Sequence, residues 1–198
     1  SVYDVLYIYD EIAPKDARAY AFDLSQHDMI LADFSATSND LNFKVVDPDG
    51  NHIKYAYVDF NTIIFVACKN GRYVLQVSNL DDITAIFNAT VYKRSAERSV
   101  IGTISRDLDP GEYLSYYIAF NDTSQASVSL TGTVGTNYDL YIFDPQGNLH
   151  AYSERTEYPD EVDFAVLYPE IYYVIIYAKR GYDYGSMGLN IIVGDPLQ

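Results

Sequence analysis

Short runs in which apolar and polar residues alternate, broken by Gly, Pro, Asn and Asp, make up most of the chain. Tyr20, Phe22 and Leu24 alternate with Ala21 and Asp23, while Met29, Leu31 and Asp33 oppose Ile30, Ala32 and Phe34. Leu41-Asn42-Phe43-Lys44-Val45-Val46 and Tyr73-Val74-Leu75-Gln76-Val77 continue the pattern. A period of two predicts strands, and helical periodicity is scarce. Strands at roughly ten-residue spacing predict an antiparallel sandwich or barrel.

The pattern is written twice. Asn42-Phe43-Lys44-Val45-Val46-Asp47-Pro48-Asp49-Gly50-Asn51 returns 97 positions later as Asp139-Leu140-Tyr141-Ile142-Phe143-Asp144-Pro145-Gln146-Gly147-Asn148. Upstream, Tyr20-Ala21-Phe22-Asp23-Leu24 answers Tyr116-Tyr117-Ile118-Ala119-Phe120. Downstream, Arg72-Tyr73-Val74-Leu75-Gln76-Val77 answers Tyr172-Tyr173-Val174-Ile175-Ile176-Tyr177. An internal repeat of this kind predicts two similar all-β units, residues 1–94 and 99–198, joined near the basic stretch Lys93-Arg94-Ser95-Ala96-Glu97-Arg98. The Asp-Pro-x-Gly stretches read as tight turns, with Pro at the second position and Gly supplying positive φ.

The alternating strand, the Asp139–Asn148 segment and the following Tyr172-Tyr173-Val174 strand together resemble the pre-peptidase C-terminal domain of bacterial and archaeal proteins. The first half also resembles the GOLD type of secreted sandwich, through Phe43–Asn51 and Asn70-Gly71-Arg72-Tyr73. Ile171 departs from the pattern, standing where a Gly is usual before the Tyr-Tyr-Val strand. The resemblance implies two tandem jelly-roll-like antiparallel β-sandwiches, secreted and without catalytic residues of their own. Such modules hang on secreted proteases or serve in surface proteins.

Composition narrows the function further. The 198 residues carry 13 Lys and Arg against 28 Asp and Glu, a formal −15, and are 48% hydrophobic. That apolar content supports a real core. The acidity argues against nucleic acid as a partner and against docking on anionic membranes. No stretch approaches the roughly 20 apolar residues of a membrane span. Residues 1–98 hold 9 basic and 14 acidic side chains, residues 99–198 only 4 and 14, so the halves carry −5 and −10. The lone Cys68 excludes an internal disulfide and reads as a small core residue. Ser1 in place of Met suits a mature form after signal cleavage or a cut-down chain. Asn88-Ala89-Thr90 and Asn121-Asp122-Thr123 are sequons, so Asn88 and Asn121 are candidate N-glycosylation sites of a secreted or cell-surface glycoprotein. One Cys, two Met and short loops suit a thermophilic, for instance archaeal, source.

Candidate chemistry is sparse. Glu154, Glu157, Asp160, Glu161 and Asp163 form an acidic run; a loop curling there could hold calcium through Glu157, Asp160, Glu161 and Asp163, and a solvated loop is the alternative. Calcium is the one cofactor the sequence raises. Ser25, His27 and Asp28 are close in sequence, but no nucleophile elbow and no paired-histidine zinc motif accompanies them. No catalytic residue is assigned.

The N-terminal segment differs from every other strand. Val2, Leu6 and Ile8 lie on one face, and Tyr3, Val5, Tyr7 and Tyr9 on the other, so both faces are apolar or aromatic. An ordinary edge strand keeps its outer face polar. Residues 2–9 therefore read either as a first strand covered on both faces or as a donor strand that completes a neighbouring subunit's sheet. The second reading, a device of archaeal and bacterial surface filaments, makes the chain a filament subunit whose partner is itself. The 21 tyrosines allow core filling, a protein interface or a platform for surface glycans. The competing function is an accessory module of a secreted protease or other hydrolase.

Overall fold

The computed structural model describes residues 4–99 and 101–196, and all regular structure in them is strand. Among the described residues no helix is long and apolar enough to cross a membrane. The chain divides into two compact units, Ser1–Ser95 with Gln146–Asn148, and Ala96–Pro145 with Leu149–Gln198.

The first unit contains β1 (Asp4–Ile12), β2 (Ala17–Leu24), β3 (Asp28–Ala36), β4 (Leu41–Val46), β5 (His52–Ile53), β6 (Ala56–Val58), β7 (Thr62–Val66), β8 (Gly71–Asn79) and β9 (Ala85–Ser95). They form two antiparallel sheets, ordered β1-β9-β3-β7-β6 and β2-β8-β4-β5. The second unit contains β10 (Glu97–Arg98), β11 (Thr103–Leu108), β12 (Tyr113–Ala119), β13 (Ser124–Gly132), β14 (Tyr138–Phe143), β15 (Leu149–Ser153), β16 (Asp160–Val166), β17 (Ile171–Ala178) and β18 (Gly185–Pro196). Its sheets run β11-β18-β13-β16 and β10-β12-β17-β14-β15, the short β10 lying parallel to β12.

With the short edge strands β6 and β10 set aside, each unit has eight strands in the order 1-8-3-6 on one sheet and 2-7-4-5 on the other. That is the jelly roll, the architecture in which two sheets close over one core. The sequence repeat is thus a repeat of topology: β4, β5 and β8 correspond to β14, β15 and β17. β6, which pairs antiparallel with β7, and β10 have no counterparts among the described residues.

Alternation decides what each strand buries. Phe43 and Val45 of β4, Tyr73, Leu75 and Val77 of β8, and Phe87, Ala89 and Val91 of β9 point into the first core, joined by Phe22 and Phe65. Each fully buried Val, Leu or Phe among them contributes roughly 1.5–3 kcal/mol. Val128 and Leu130 of β13, Leu140 and Ile142 of β14, and Phe164, Tyr172, Val174, Leu189 and Ile191 build the second. β7, β14 and β17 are buried on both faces, which is why they read as continuous apolar runs and not as alternation.

The turn between β4 and β5 shows how the repeated segment works. Oδ1 of Asp47 accepts hydrogen bonds from the amides of Asp49 and Asn51, both at 2.9 Å, and Gly50 supplies φ +86°. Gly147 repeats that conformation at φ +85°. Gly71 is required for a different reason. It has φ +141°, and a Cβ there would sit 2.6 Å from Cγ of Pro48. Its counterpart Ile171 begins β17, paired with Ala119, without the positive φ of Gly71.

Candidate functional site

β1 pairs with β9 of its own chain over nine positions, from Asp4↔Lys93 to Ile12↔Ala85. Of the two readings of the N-terminal segment, the closed form described here is the first strand of the first sandwich. Val2 and Tyr3 lie outside the described residues. The register sets Leu6, Ile8 and Ile12 on the core side, with Ile12 buried in it, and Val5, Tyr7 and Tyr9 on the outer side. The outer side is open: Tyr7 is 78% exposed, Tyr9 69%, and even Leu6 is 50% exposed.

The free edge of β1 is the second component. Among the described residues only β9 is bonded to it, so alternate N–H and C=O groups of nine residues face outward. Among the described residues the other edge strands are shorter than β1, and several carry charge. β5, β6 and β10 have two or three residues; β11 carries Arg106 and Asp107; β16 carries Glu161 and Asp163; β2 carries Arg18 and Asp23. β1 has neither proline nor lysine, and its middle residues, Val5 to Tyr9, are all apolar or aromatic. Below Leu6, where the edges β1 and β2 part, a cleft of ≈ 240 Å³ is lined by Leu6, Phe22, Leu24, Ile30 and Val91, with Asp23 and Lys93 at its wall.

A second concavity, of ≈ 460 Å³, lies over the outer face of the same sheet. Tyr7 and Tyr9 line it with Asn88 and Thr90 of β9, Asp33 and Ser35 of β3, and Asn61 of the turn into β7. The sequence did not disclose this groove. Its residues come from four segments, and only the registers Tyr9↔Asn88, Asn88↔Ser35, Tyr7↔Thr90 and Thr90↔Asp33 place them in two rows. The alternation of Ile86, Asn88 and Thr90 along β9 was the one available signal.

The remaining sequence candidates are scattered. The acidic run is not a curling loop: Asp160 begins β16, and alternation sends it inward, fully buried, while Glu161 and Asp163 point outward into solvent. Glu157 is exposed in the connection before the strand. Strand geometry therefore separates the four proposed calcium ligands, and no metal-holding group of three or more such side chains occurs among the described residues. Ser153 donates its hydroxyl to Oδ1 of Asp160. Asn121 sits exposed in the bend between β12 and β13, whereas Asn88 is exposed on the paired strand β9. Asp28 accepts from the Ser25 amide at 2.8 Å and the Ser95 hydroxyl at 2.7 Å, tying down a loop and a strand end. Cys68 is half-buried against the hydroxyl of Tyr73, and burial pushes its thiol up, away from the reactive thiolate.

No family model matches the chain. Solved structures similar to it include the pre-peptidase C-terminal domain of collagenase from Bacillus anthracis, 20% identical, covering 50% of this chain and 98% of that one at a TM-score of 0.45. The M60 catalytic domain with the CBM51-1 and CBM51-2 domains of ZmpB from Clostridium perfringens is 9% identical, covering 88% of this chain and 33% of that one at 0.32. A triple jelly-roll turret protein of an archaeal virus is 10% identical, covering 93% and 58% at 0.30.

Proposed function

We propose that this chain is a non-catalytic, extracellular interaction subunit whose copies join through β1. The observation that carries the reading is the edge of β1: nine residues long, apolar on both faces from Val5 to Tyr9, open along its outer backbone, and flanked by a largely apolar cleft. An edge of that kind is a template for strand addition. Main-chain hydrogen bonds would hold the incoming strand of a second copy, and alternate side chains would seat in the cleft below Leu6.

Charge disfavours one register of a symmetric contact. Antiparallel pairing of β1 with another β1 about Tyr7 would place Asp4 opposite Asp10 on both sides, and like charges directly opposite are destabilising. Joining β1 to a different surface of the next copy avoids this clash. A heterologous contact that does not close produces an open filament. The non-catalytic reading is supported by the structural use of Asp28 within the Ser25, His27 and Asp28 set. The extracellular reading draws on the two sequons.

Sedimentation velocity of the full chain tests the joining. Wild type is expected to sediment as concentration-dependent oligomers. Leu6→Lys and Tyr7→Lys, which put a charge on the edge, should shift it to a monomer with little change in melting temperature. Oligomers that persist unchanged in both variants would leave the accessory-module reading in its place.

A further inference from the structure

We infer that the groove over the outer face of the first unit's larger sheet binds a neutral oligosaccharide. This rests on the face of β1 and its neighbours, not on the edge that serves assembly. A pyranose ring presents an apolar C–H face and a rim of hydroxyls, so its site needs an exposed aromatic ring beside side chains that both donate and accept. The groove has that pairing. Tyr7 and Tyr9, two residues apart on one strand and hence about 6.7 Å apart on the same face, are 78% and 69% exposed. Each heads a row of hydrogen-bonding side chains: Tyr9, Asn88 and Ser35 in one, Tyr7, Thr90 and Asp33 in the other.

The amide of Asn88 donates and accepts, the hydroxyls of Ser35 and Thr90 do both, and Asp33 accepts. Asn61 closes the end of the groove. It follows Asp59 and Phe60, which hold φ +53° and +61°, a region uncommon for residues other than glycine. The hydroxyl of Tyr57 donates to the carbonyl of Phe60 at 2.7 Å, and Phe60 itself stands 89% exposed beside Asn61. The volume of ≈ 460 Å³ falls in the range of small-molecule sites.

Charge fixes the class of sugar. Asp33 lies in the floor and the whole chain carries −15, so sulfated or uronic-acid polymers are repelled and neutral ones are not. The polar floor also disfavours an apolar peptide, which would leave those groups desolvated without partners.

Isothermal titration of the full chain, made in a host without N-glycosylation, tests the site. Chitohexaose and mannohexaose serve as neutral probes and a heparin hexasaccharide as the anionic one. At least one neutral probe should bind and heparin should not. Tyr7→Ala and Tyr9→Ala should each weaken binding about tenfold, the loss of one aromatic stacking contact. Tyr9→Leu, which keeps an apolar strand residue but no ring, should match Tyr9→Ala, and Leu6→Lys should bind like wild type. Failure of both neutral probes, equal binding of heparin, or unchanged affinity in the tyrosine variants would overturn the assignment. So would a native protein carrying a glycan on Asn88, because the groove would then hold the chain's own sugar.

Discussion

At position 47 a carboxylate organises a turn. Burial works to raise the Asp47 carboxyl, but the amides of Asn51 and Asp49 and the ammonium of Lys69, 3.2 Å away, hold it below the usual carboxylate value. Because the folded value is depressed, this contribution is fully present above the ordinary Asp range near pH 4 and is lost as pH falls through the folded value. Asp47→Asn should therefore cost about 1–3 kcal/mol at neutral pH. The gap in melting temperature between variant and wild type should narrow below about pH 4; a gap independent of pH would contradict the assignment. The turn itself was legible, since Pro48 and Gly50 occupy positions that tight turns favour. The tyrosines were not. Tyr172 and Tyr173 point to opposite faces of β17 and are both buried, while Tyr7 and Tyr9 stand in solvent. Nothing in a period of two tells which faces are covered. The same limit misplaced the acidic run: as a loop it could gather cations, but as β16 it divides Asp160 from Glu161 and Asp163.

Among the elements, β1 carries the account. Both faces of this strand were visible in the sequence as apolar, and the structure adds that it terminates a sheet with one edge open. Position in a sheet depends on pairings between distant segments, such as Tyr7 with Thr90, which local pattern does not encode. Hydrogen exchange reads the edge directly. In dilute monomer the outward amides of β1 should exchange fast while those bonded to β9 are slow, giving an alternating pattern along Val5 to Tyr9. On assembly the outward set should slow as well. Uniform fast exchange over the strand at all concentrations would mean that β1 gains no partner.

Over the whole chain, a sequence repeat has become two jelly rolls with the same strand order, although only short stretches of the repeat survive as recognisable residues. The order is set by which strand pairs with which, and the turn at Asp47–Asn51 recurs at Asp144–Asn148 while the strands between such turns differ in sequence. Acidity is uneven, −5 in residues 1–98 and −10 in 99–198, and it suits a surface that must expose Tyr7 and Tyr9 without indiscriminate association. A head-to-tail contact would set a mildly acidic face against a more acidic one, so joining should strengthen with salt as the repulsion is screened. The most direct measurement is negative-stain electron microscopy of the purified full chain at moderate salt, beside Leu6→Lys. Joining through β1 predicts linear filaments for wild type and single particles for the variant; single particles for both, or filaments for both, would contradict it.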